Sequence, residues 1–132
     1  MKTVISIIVL VVIAGGVAAA AVPIYLMEKQ NRQTAIELTG GDPNRGKDAI
    51  GQYGCSSCHT IPGIRGADAM VGPPLTKMGT RTYIGGVLKN TPDNMKMWLK
   101  DPPGVDAKTA MPNLHLGDED VKDIACYLYT LR

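Results

Sequence analysis

The feature that most constrains this chain is a five-residue motif, Cys55-Ser56-Ser57-Cys58-His59, which places two thiols beside an imidazole. Thiols three residues apart project to one side of a helical turn, so both can bond to the two vinyl groups of one porphyrin. The imidazole that follows is then brought beneath the iron, where it can bind as a ligand. This spacing is typical of covalent haem attachment.

Two other kinds of site use cysteine pairs at the same spacing. A thioredoxin-like redox pair lies among alternating strands and helices, and this sequence shows no alternating strand pattern. A zinc site needs a second pair of ligands, and only His115 and Cys126 remain, far apart in sequence. The three cysteines are also an odd number, which cannot form a closed set of disulfides. We therefore expect one covalent haem.

The part of the chain from Asp42 to Arg132 has a poor core of its own. It contains no Phe and balances 11 Lys or Arg against 10 Asp or Glu. Burial is already marginal for a domain of this size, and a bound cofactor is one way in which small domains are reinforced. A net charge of +1 over this part gives no indication of nucleic-acid binding.

The segment 3–27 carries no charged residue. A cleaved signal peptide would need a short apolar run and a small-residue cleavage site, for which Ala18-x-Ala20 would serve. A retained anchor needs about 20 apolar residues. Because apolarity continues past the cleavage site, with Tyr25 where interfacial aromatic residues usually lie, we expect a single transmembrane helix over residues 1–27. Residues 28–41 are predicted to be a linker.

The remaining part, residues 42–132, is predicted to be an all-α domain. Asp42-Pro43 and Thr91-Pro92 each combine an N-cap with a proline in the first turn, which is typical of a helix start. A last helix follows the acidic run at residues 118–120. Tyr83 to Leu88 would form a short helix weakened by two glycines. Two long loops, over residues 60–82 and 101–116, indicate that something lies between them.

The residues alone leave the second axial ligand open. A closed coordination shell suits electron transfer, whereas an open one suits gas binding or peroxide chemistry. Met111-Pro112 lies where an extended loop can reach the opposite haem face, although a loop methionine often only fills a gap. For the imidazole candidate we expect a solvent-facing position. The candidates are Met70, Met78, Met95, Met97, Met111 and His115.

From Asp42 to Arg132 the chain resembles the class I cytochrome c family. The motifs that carry the resemblance are Gly46 with Ile50, Cys55-x-x-Cys58-His59, Gly72-Pro73-x-Leu75, Trp98-Leu99-x-x-Pro102, Met111-Pro112 and Ile124-Ala-Cys-Tyr127-Leu. The resemblance implies a class I cytochrome c fold around one covalent haem c, with His59 and Met111 as the metal ligands. It also implies that the Pro73 carbonyl accepts a hydrogen bond from His59, and that Gly46 and Tyr127 mark a close crossing of the first and last helices.

The same resemblance implies further contacts with the cofactor. Trp98 stands 13 residues before Met111, where the family commonly places a large aromatic side chain against the haem. A plain core tryptophan is the alternative. Tyr83 and Arg81 lie in the stretch that often contacts the haem propionates.

More specifically, the segment beginning Asn90-Thr-Pro-Asp-Asn-Met is similar to the cytochrome c domains of bacterial haem-copper oxidases. No copper motif of oxidase subunit II is present, so the chain is not expected to be that subunit itself. The implied function is a single-electron carrier rather than an enzyme. Its implied partners are a terminal oxidase, a quinol-cytochrome c reductase, or both, with no small-molecule substrate. The implied place is the bacterial inner membrane, with the haem domain on the periplasmic side.

Two other functions stay open, namely the haem subunit of a periplasmic dehydrogenase complex and a gas-binding haem sensor with a labile sixth ligand. Cys126 is predicted to lie away from the apolar face of its helix, either as a substitute for alanine or as an acylation or dimerisation thiol. Six basic residues between Lys77 and Lys108 would form either a positive docking ring or ordinary solvated charge.

Overall fold

The computed structural model describes residues 2–132, except for the side chains of residues 2–4, 8, 11, 14, 15, 17, 18 and 20. The chain divides into two compact units, one ending at Gln30 and the other running from Asn31 to Arg132. The first residue of the predicted anchor, Met1, lies outside the described residues.

Helix α1 comprises Lys2–Thr39. It ends before Gly40, which has a φ of 72°, a left-handed conformation that glycine adopts without steric cost. Across the residues that the structure describes, no helix has both the length and the apolarity that crossing a membrane requires. The transmembrane helix predicted over residues 1–27 is therefore not supported by the described structure.

The second half of the predicted linker, residues 28–41, is part of the second compact unit from Asn31 onward. Ala35 is fully buried and Thr39 is 5% exposed. The Thr39 hydroxyl donates to the Ala35 carbonyl at 2.7 Å and accepts the Gly41 N–H at 3.3 Å. One side of this stretch, at Ala35 and Thr39, is thus packed, while Ile36 and Leu38 remain exposed.

Helix α2 comprises Pro43–Gln52 and begins where the sequence predicts, because the Asp42 carboxylate accepts the Asn44 N–H at 2.7 Å. It crosses the last helix, Asp118–Thr130, at Gly46. A Cβ at Gly46 would overlap the Asp123 carbonyl. The predicted close crossing is thereby confirmed at Gly46. The other residue predicted to mark it, Tyr127, donates its hydroxyl to the Pro62 carbonyl at 2.7 Å, in the loop after the cysteine motif.

Asp123 on the last helix binds the start of α2, although it is only 3% exposed. Its carboxylate accepts the Asp42 N–H at 2.7 Å and two Arg45 N–H groups at 2.7 and 3.0 Å. Burial by itself raises the pKa of the Asp123 carboxyl, but the hydrogen bonds from Arg45 and Asp42 outweigh it and hold that pKa below its usual range. The ionised form is therefore favoured by the fold.

Helix α3 comprises Pro92–Lys100, α4 comprises Pro102–Val105 and α5 comprises Asp118–Thr130. The predicted start of α3 is confirmed, since the Thr91 hydroxyl accepts the Asn94 N–H at 3.3 Å. The short helix α4 lies inside the segment that the sequence predicted to be loop. Two 3₁₀ turns, Cys55–Ser57 and Met78–Thr80, complete the described helical structure.

The helix predicted over Tyr83 to Leu88 is wrong. These residues form an antiparallel pair of two-residue strands, β1 (Tyr83–Ile84) and β2 (Leu88–Lys89). The reason lies in Gly85 and Gly86, which both have positive φ angles, 57° and 77°. Such angles reverse the chain in a hairpin, and they are incompatible with a right-handed helix. The domain is accordingly mostly helical rather than all-α.

Helix α5 is buried over most of its surface rather than along one face. The apolar residues Val121, Ile124, Ala125 and Leu128 are buried, at 4% exposure or less. Cys126 is also fully buried, so its predicted position away from the core is wrong. The physical reason is that the end of α1 also covers this helix, where Thr39 interacts with the Cys126 thiol.

Candidate haem site

The cysteine motif lies on a tight turn directly after α2. Gly54 ends that helix with a φ of 69°, and the Cys55 carbonyl then accepts the N–H groups of both Cys58, at 3.2 Å, and His59, at 3.1 Å. One turn of backbone therefore carries the two thiols and the imidazole, as the spacing predicts.

The imidazole of His59 is held by the loop that follows it. Its Nδ1 lies 2.7 Å from the Pro73 carbonyl oxygen. Because a carbonyl can only accept, Nδ1 must carry the proton, and in the neutral ring the lone pair of Nε2 is then available to a metal. Metal-binding histidines are commonly oriented by such a bond, and this one joins the two residues that the resemblance implied.

Gly72 allows this loop to approach His59 closely. A Cβ at Gly72 would overlap the imidazole ring. The Gly72 N–H donates to the Cys58 carbonyl at 2.7 Å, and the Leu75 N–H donates to the Thr60 carbonyl at 2.8 Å. The Pro73 carbonyl is thus held between two backbone hydrogen bonds to the segment that contains the ligand.

A cavity of about 370 Å³ adjoins this turn, within the range of about 300–1,000 Å³ that ligand pockets span. All eight site residues predicted from the sequence line it. They are Cys55, Cys58, His59, Pro73, Arg81, Tyr83, Trp98 and Met111. The structure therefore brings together residues that are up to 56 positions apart in sequence.

The walls of this cavity suit a flat apolar macrocycle. Buried aliphatic side chains come from α2, the hairpin, α3 and α5, namely Ile50, Ile84, Met95, Leu99, Ile124 and Leu128. On the side of the hairpin, Trp98 is 8% exposed and lies so close to Gly85 that a Cβ there would come within 2.5 Å of the indole. Two thiols and an oriented imidazole at the edge of such a cavity are the groups that fit a covalently bound haem.

The structure narrows the choice of a second axial ligand. Met70 and Met97 are 85% and 46% exposed, and neither lines the cavity. His115 is exposed, as expected, and does not line it either. The three thioethers that do line the cavity are those of Met78, Met95 and Met111.

Among these three, Met111 differs in its surroundings. Met78 and Met95 are 5% and 1% exposed and belong to the packed core, whereas Met111 is half-buried in an irregular loop. Its N–H donates to the Thr109 hydroxyl at 3.2 Å. The same loop is fixed further along, where Lys100 Nζ donates to the Leu116 carbonyl at 2.9 Å.

Arg81 lines the cavity, but its guanidinium is bound to the loop rather than extended into the open space. It donates to the Thr76 carbonyl from Nε at 3.1 Å and from Nη2 at 2.9 Å, and also to the Pro74 carbonyl. Tyr83 lines the cavity as well while remaining 59% exposed. The contacts with haem propionates that the resemblance implied for these two residues stay predictions.

The surroundings of the cysteines disfavour a redox pair or a zinc site. Burial raises the pKa of the Cys55 thiol above its usual range, whereas redox-active pairs depend on a lowered thiol pKa. No disulfide joins any two of Cys55, Cys58 and Cys126. In the part of the chain that the structure describes, no three His, Cys, Asp or Glu residues are grouped as a metal site would require.

The basic residues between Lys77 and Lys108 do not form a simple ring of unpaired charge. Lys96 pairs with Asp93 at 3.0 Å, and Lys100 pairs with Asp118 at 2.5 Å. The guanidinium of the third, Arg81, is engaged by carbonyls as described above. The other three basic residues, Lys77, Lys89 and Lys108, are exposed.

Sequence reasoning missed several residues that shape the site. Gly72 and Gly85 must be glycine because His59 and Trp98 lie where a Cβ would be. A glycine close in sequence to a predicted site residue was the signal that could have indicated this. Asn90 binds the carbonyls of Met78 and Arg81. The sequence marked it only as the first residue of a motif shared with oxidase-associated domains, because the partners of an amide cannot be read from sequence.

Comparisons with known proteins agree with this geometry. The sequence profile of the family described as Cytochrome c matches residues 43–132. The curated relatives include cytochrome c oxidase subunit 2 of Alkalihalophilus pseudofirmus, 30% identical over 90 residues that cover 67% of this chain and 25% of that protein. The same subunit of Bacillus sp. strain PS3 is 32% identical over 89 residues, covering 64% of this chain and 25% of the relative.

A third relative, cytochrome c oxidase subunit 2 of Bacillus subtilis, is 31% identical over 87 residues, which cover 64% of this chain and 24% of that protein. The chain thus spans about a quarter of the length of the curated relatives that it matches. No solved structure matches the chain. Because the family profile covers more than half of the sequence, including the complete cavity lining, the chain belongs to the cytochrome c family.

Proposed function

We propose that this protein is a single-electron carrier with one haem c, attached through Cys55 and Cys58 and ligated by His59 and Met111. The observation that carries the proposal is the cavity itself. It contains both thiols, the Met111 thioether and an imidazole whose Nδ1 is already committed to Pro73. Cytochrome c domains carry electrons, and no Asp or Glu lines the described cavity.

When bound, the haem supplies a one-electron couple, and a Met ligand raises its potential. The chain's own contribution is to hold the ligands and exclude water. His59 is oriented from behind by the Pro73 carbonyl, and Met111 is placed by a loop bound at both ends. Buried side chains such as Met95 and Ile124, each 1% exposed, keep the interior of the cavity apolar, which favours a stable six-coordinate site.

We propose that the electron acceptor is a terminal haem-copper oxidase, with a quinol-cytochrome c reductase as a candidate donor. Support comes from the three relatives, which are all named as oxidase subunits. Docking between redox partners is typically small and transient. Stopped-flow oxidation of the reduced protein by a purified haem-copper oxidase tests this assignment, and electron transfer no faster than to an unrelated electron-accepting protein would contradict it.

We further propose that the protein works at the bacterial cytoplasmic membrane, with the haem domain on the periplasmic side. Support comes from the charge-free segment 3–27 and from its exposed apolar side chains, among them Ile24, Leu26 and Met27. Washing membranes with alkaline carbonate should leave the protein in the pellet, and protease added to spheroplasts should degrade it. Release by carbonate, or protection from protease, would contradict the respective part.

Substitution of Met111 tests the electron-transfer site. Met111→Ala should lose the charge-transfer absorption between methionine sulfur and ferric iron and should bind carbon monoxide rapidly when reduced, because one axial position opens. Met97→Ala is the matched control, since that thioether lies outside the cavity. A wild-type protein that already binds carbon monoxide rapidly at neutral pH would favour a sensor instead. An unchanged spectrum in Met111→Ala would indicate that Met78 or Met95, and not Met111, is the ligand.

A further inference from the structure

Asn90 uses its whole side-chain amide to bind other parts of the domain. Its Nδ2 donates to the carbonyls of Met78 at 2.7 Å and Arg81 at 2.8 Å, and its Oδ1 accepts the Tyr129 hydroxyl at 2.8 Å. Because carbonyl oxygens cannot donate, the orientation of the amide is determined by these partners. Its own N–H also donates to the Thr82 carbonyl at 2.9 Å.

The segment that Asn90 binds depends on such outside support. The 3₁₀ turn Met78–Thr80 begins after Lys77, which has a φ of 54°. This left-handed conformation is unfavourable for a residue with a side chain. Short 3₁₀ turns also have poor internal hydrogen-bond geometry. The two bonds from the Asn90 amide therefore help to hold a turn whose own backbone is weakly stabilised.

Beyond this turn, Arg81 extends the same contacts to the loop that holds His59. Its backbone carbonyl accepts from Asn90, while its guanidinium donates to the carbonyls of Pro74 and Thr76. Those two residues lie one and three positions after Pro73, whose carbonyl accepts from the His59 imidazole. The bonded groups run from Tyr129 on α5 through Asn90 and Arg81 to the back of the candidate iron ligand.

We propose that Asn90 is a positioning residue for His59, which acts by holding the turn and Arg81 so that the Pro73 carbonyl stays aligned with Nδ1. This inference rests on the proposed function, because it assigns a purpose to the orientation of a haem ligand. Asn90 itself does not line the cavity. Its effect on the site is therefore indirect and passes through hydrogen bonds rather than through contact with the cofactor.

The test substitutes Asn90→Leu, which keeps the approximate shape and the net charge but removes all three side-chain bonds. In the oxidised full-length protein with its haem, exchange of the His59 Nδ1 proton with solvent, measured by NMR, should become faster by about tenfold, because unpaired acceptors loosen the loop. The reduction potential should rise, because a weaker Nδ1 hydrogen bond makes the imidazole a poorer donor to iron.

The matched control is Asn94→Leu. Asn94 also donates its amide to a backbone carbonyl, that of Lys89 at 2.8 Å, but within the described structure its side chain forms no hydrogen bond with the segment 74–81. Exchange at His59 and the reduction potential should keep their wild-type values in this variant. If both Leu variants accelerate exchange equally, general loosening explains the effect and the positioning role is wrong.

Two further variants keep the proposal testable if Asn90→Leu does not fold. Arg81→Lys retains the charge but cannot form the forked contact with Pro74 and Thr76. Exchange of the His59 Nδ1 proton with solvent should therefore become faster, as in Asn90→Leu. Tyr129→Phe leaves both donor bonds of Asn90 in place and should change exchange by less than Arg81→Lys. Wild-type exchange in Asn90→Leu or in Arg81→Lys would overturn the inference, whereas absence of a His/Met haem spectrum in the wild-type protein would overturn the proposed function instead.

Discussion

The crossing of α2 and α5 and the loop between Thr60 and Asn90 are built in different ways. The crossing uses regular helices, a glycine that lets two backbones meet, and one buried carboxylate, Asp123. The loop has little regular structure, and individual hydrogen bonds such as that from Leu75 to Thr60 determine its path. We therefore expect changes at the crossing to act mainly on stability, and changes in the loop to act mainly on the iron ligand.

The largest effect is expected from Gly46→Ala at the crossing. The new Cβ would overlap the Asp123 carbonyl, and since backbone cannot move aside as a flexible side chain can, the helices must separate. We expect a loss of about 3 kcal/mol or more in the free energy of unfolding, measured by denaturant titration of the haem-containing protein, with a nearly unchanged spectrum at low denaturant.

Gly51→Ala is the matched control on the same helix. No atom lies within 4 Å of a Cβ at Gly51, so alanine should stabilise α2 by about 0.5–1 kcal/mol through its better helix propensity. Equal unfolding midpoints for the two alanine variants would show that the crossing is looser than the structure indicates.

Gly72→Ala tests the loop rather than the crossing. Its backbone is not in the left-handed region, so the only obstacle to alanine is the His59 ring, which a Cβ would overlap. The loss of stability should be smaller, about 1–3 kcal/mol, but the reduction potential and the axial-ligand spectrum should change more than in Gly46→Ala. A variant that loses stability without any spectral change would contradict the assignment of ligand geometry to this loop.

Asp123→Asn should make the contribution of the crossing depend on pH. The pKa of Asp123 lies below its usual range in the folded protein, so its contribution is present above the unfolded pKa of about 3.9 and is lost as the pH falls through the lower folded value. The stability difference between wild type and variant should therefore be largest near neutral pH and shrink in acid.

Asp48→Asn is the control for that experiment, because Asp48 is exposed on the same helix α2. Its unfolding curves should follow those of the wild type at each pH. A stability difference for Asp123→Asn that stays constant from neutral pH into acid would show that the carboxylate is not the group that titrates.

The smallest effect is expected at Cys126. If Cys55 and Cys58 form the proposed thioether bonds to haem, thiol labelling reports on Cys126 alone. Burial raises the pKa of this thiol, and it is fully buried, so alkylation should be very slow in the native protein and rapid in denaturant. Cys126→Ala should cost about 1 kcal/mol. Rapid labelling of the native protein would instead indicate an exposed thiol.

The helices could be predicted because their signals are local. Asp42-Pro43 and Thr91-Pro92 each contain the capping side chain and the proline that start a helix, and both starts were predicted correctly. The cysteine motif was equally informative, since one turn of backbone fixes the relation of its groups. The hydrogen bond from His59 to Pro73 was predicted from the family resemblance and not from the residues themselves.

The irregular part could be predicted much less well, because its contacts join distant residues. Gly85 and Gly86 were interpreted as weakening a helix, although their positive φ angles form a hairpin that packs on Trp98. Cys126 was placed by helix periodicity alone, which cannot include the contact from Thr39. Asn90 binds groups from three parts of the chain, none of which its neighbours in sequence indicate.

The packing of residues 31–39 has a practical consequence for work with isolated domains. The region shared with relatives starts at residue 43, yet the folded unit starts at Asn31 and includes the fully buried Ala35. An expression clone trimmed to the shared region would lack Thr39 and would uncover the Cys126 sulfur, which invites oxidative cross-linking between molecules during purification. The region shared with relatives and the compact unit thus begin twelve positions apart, and cloning should follow the compact unit.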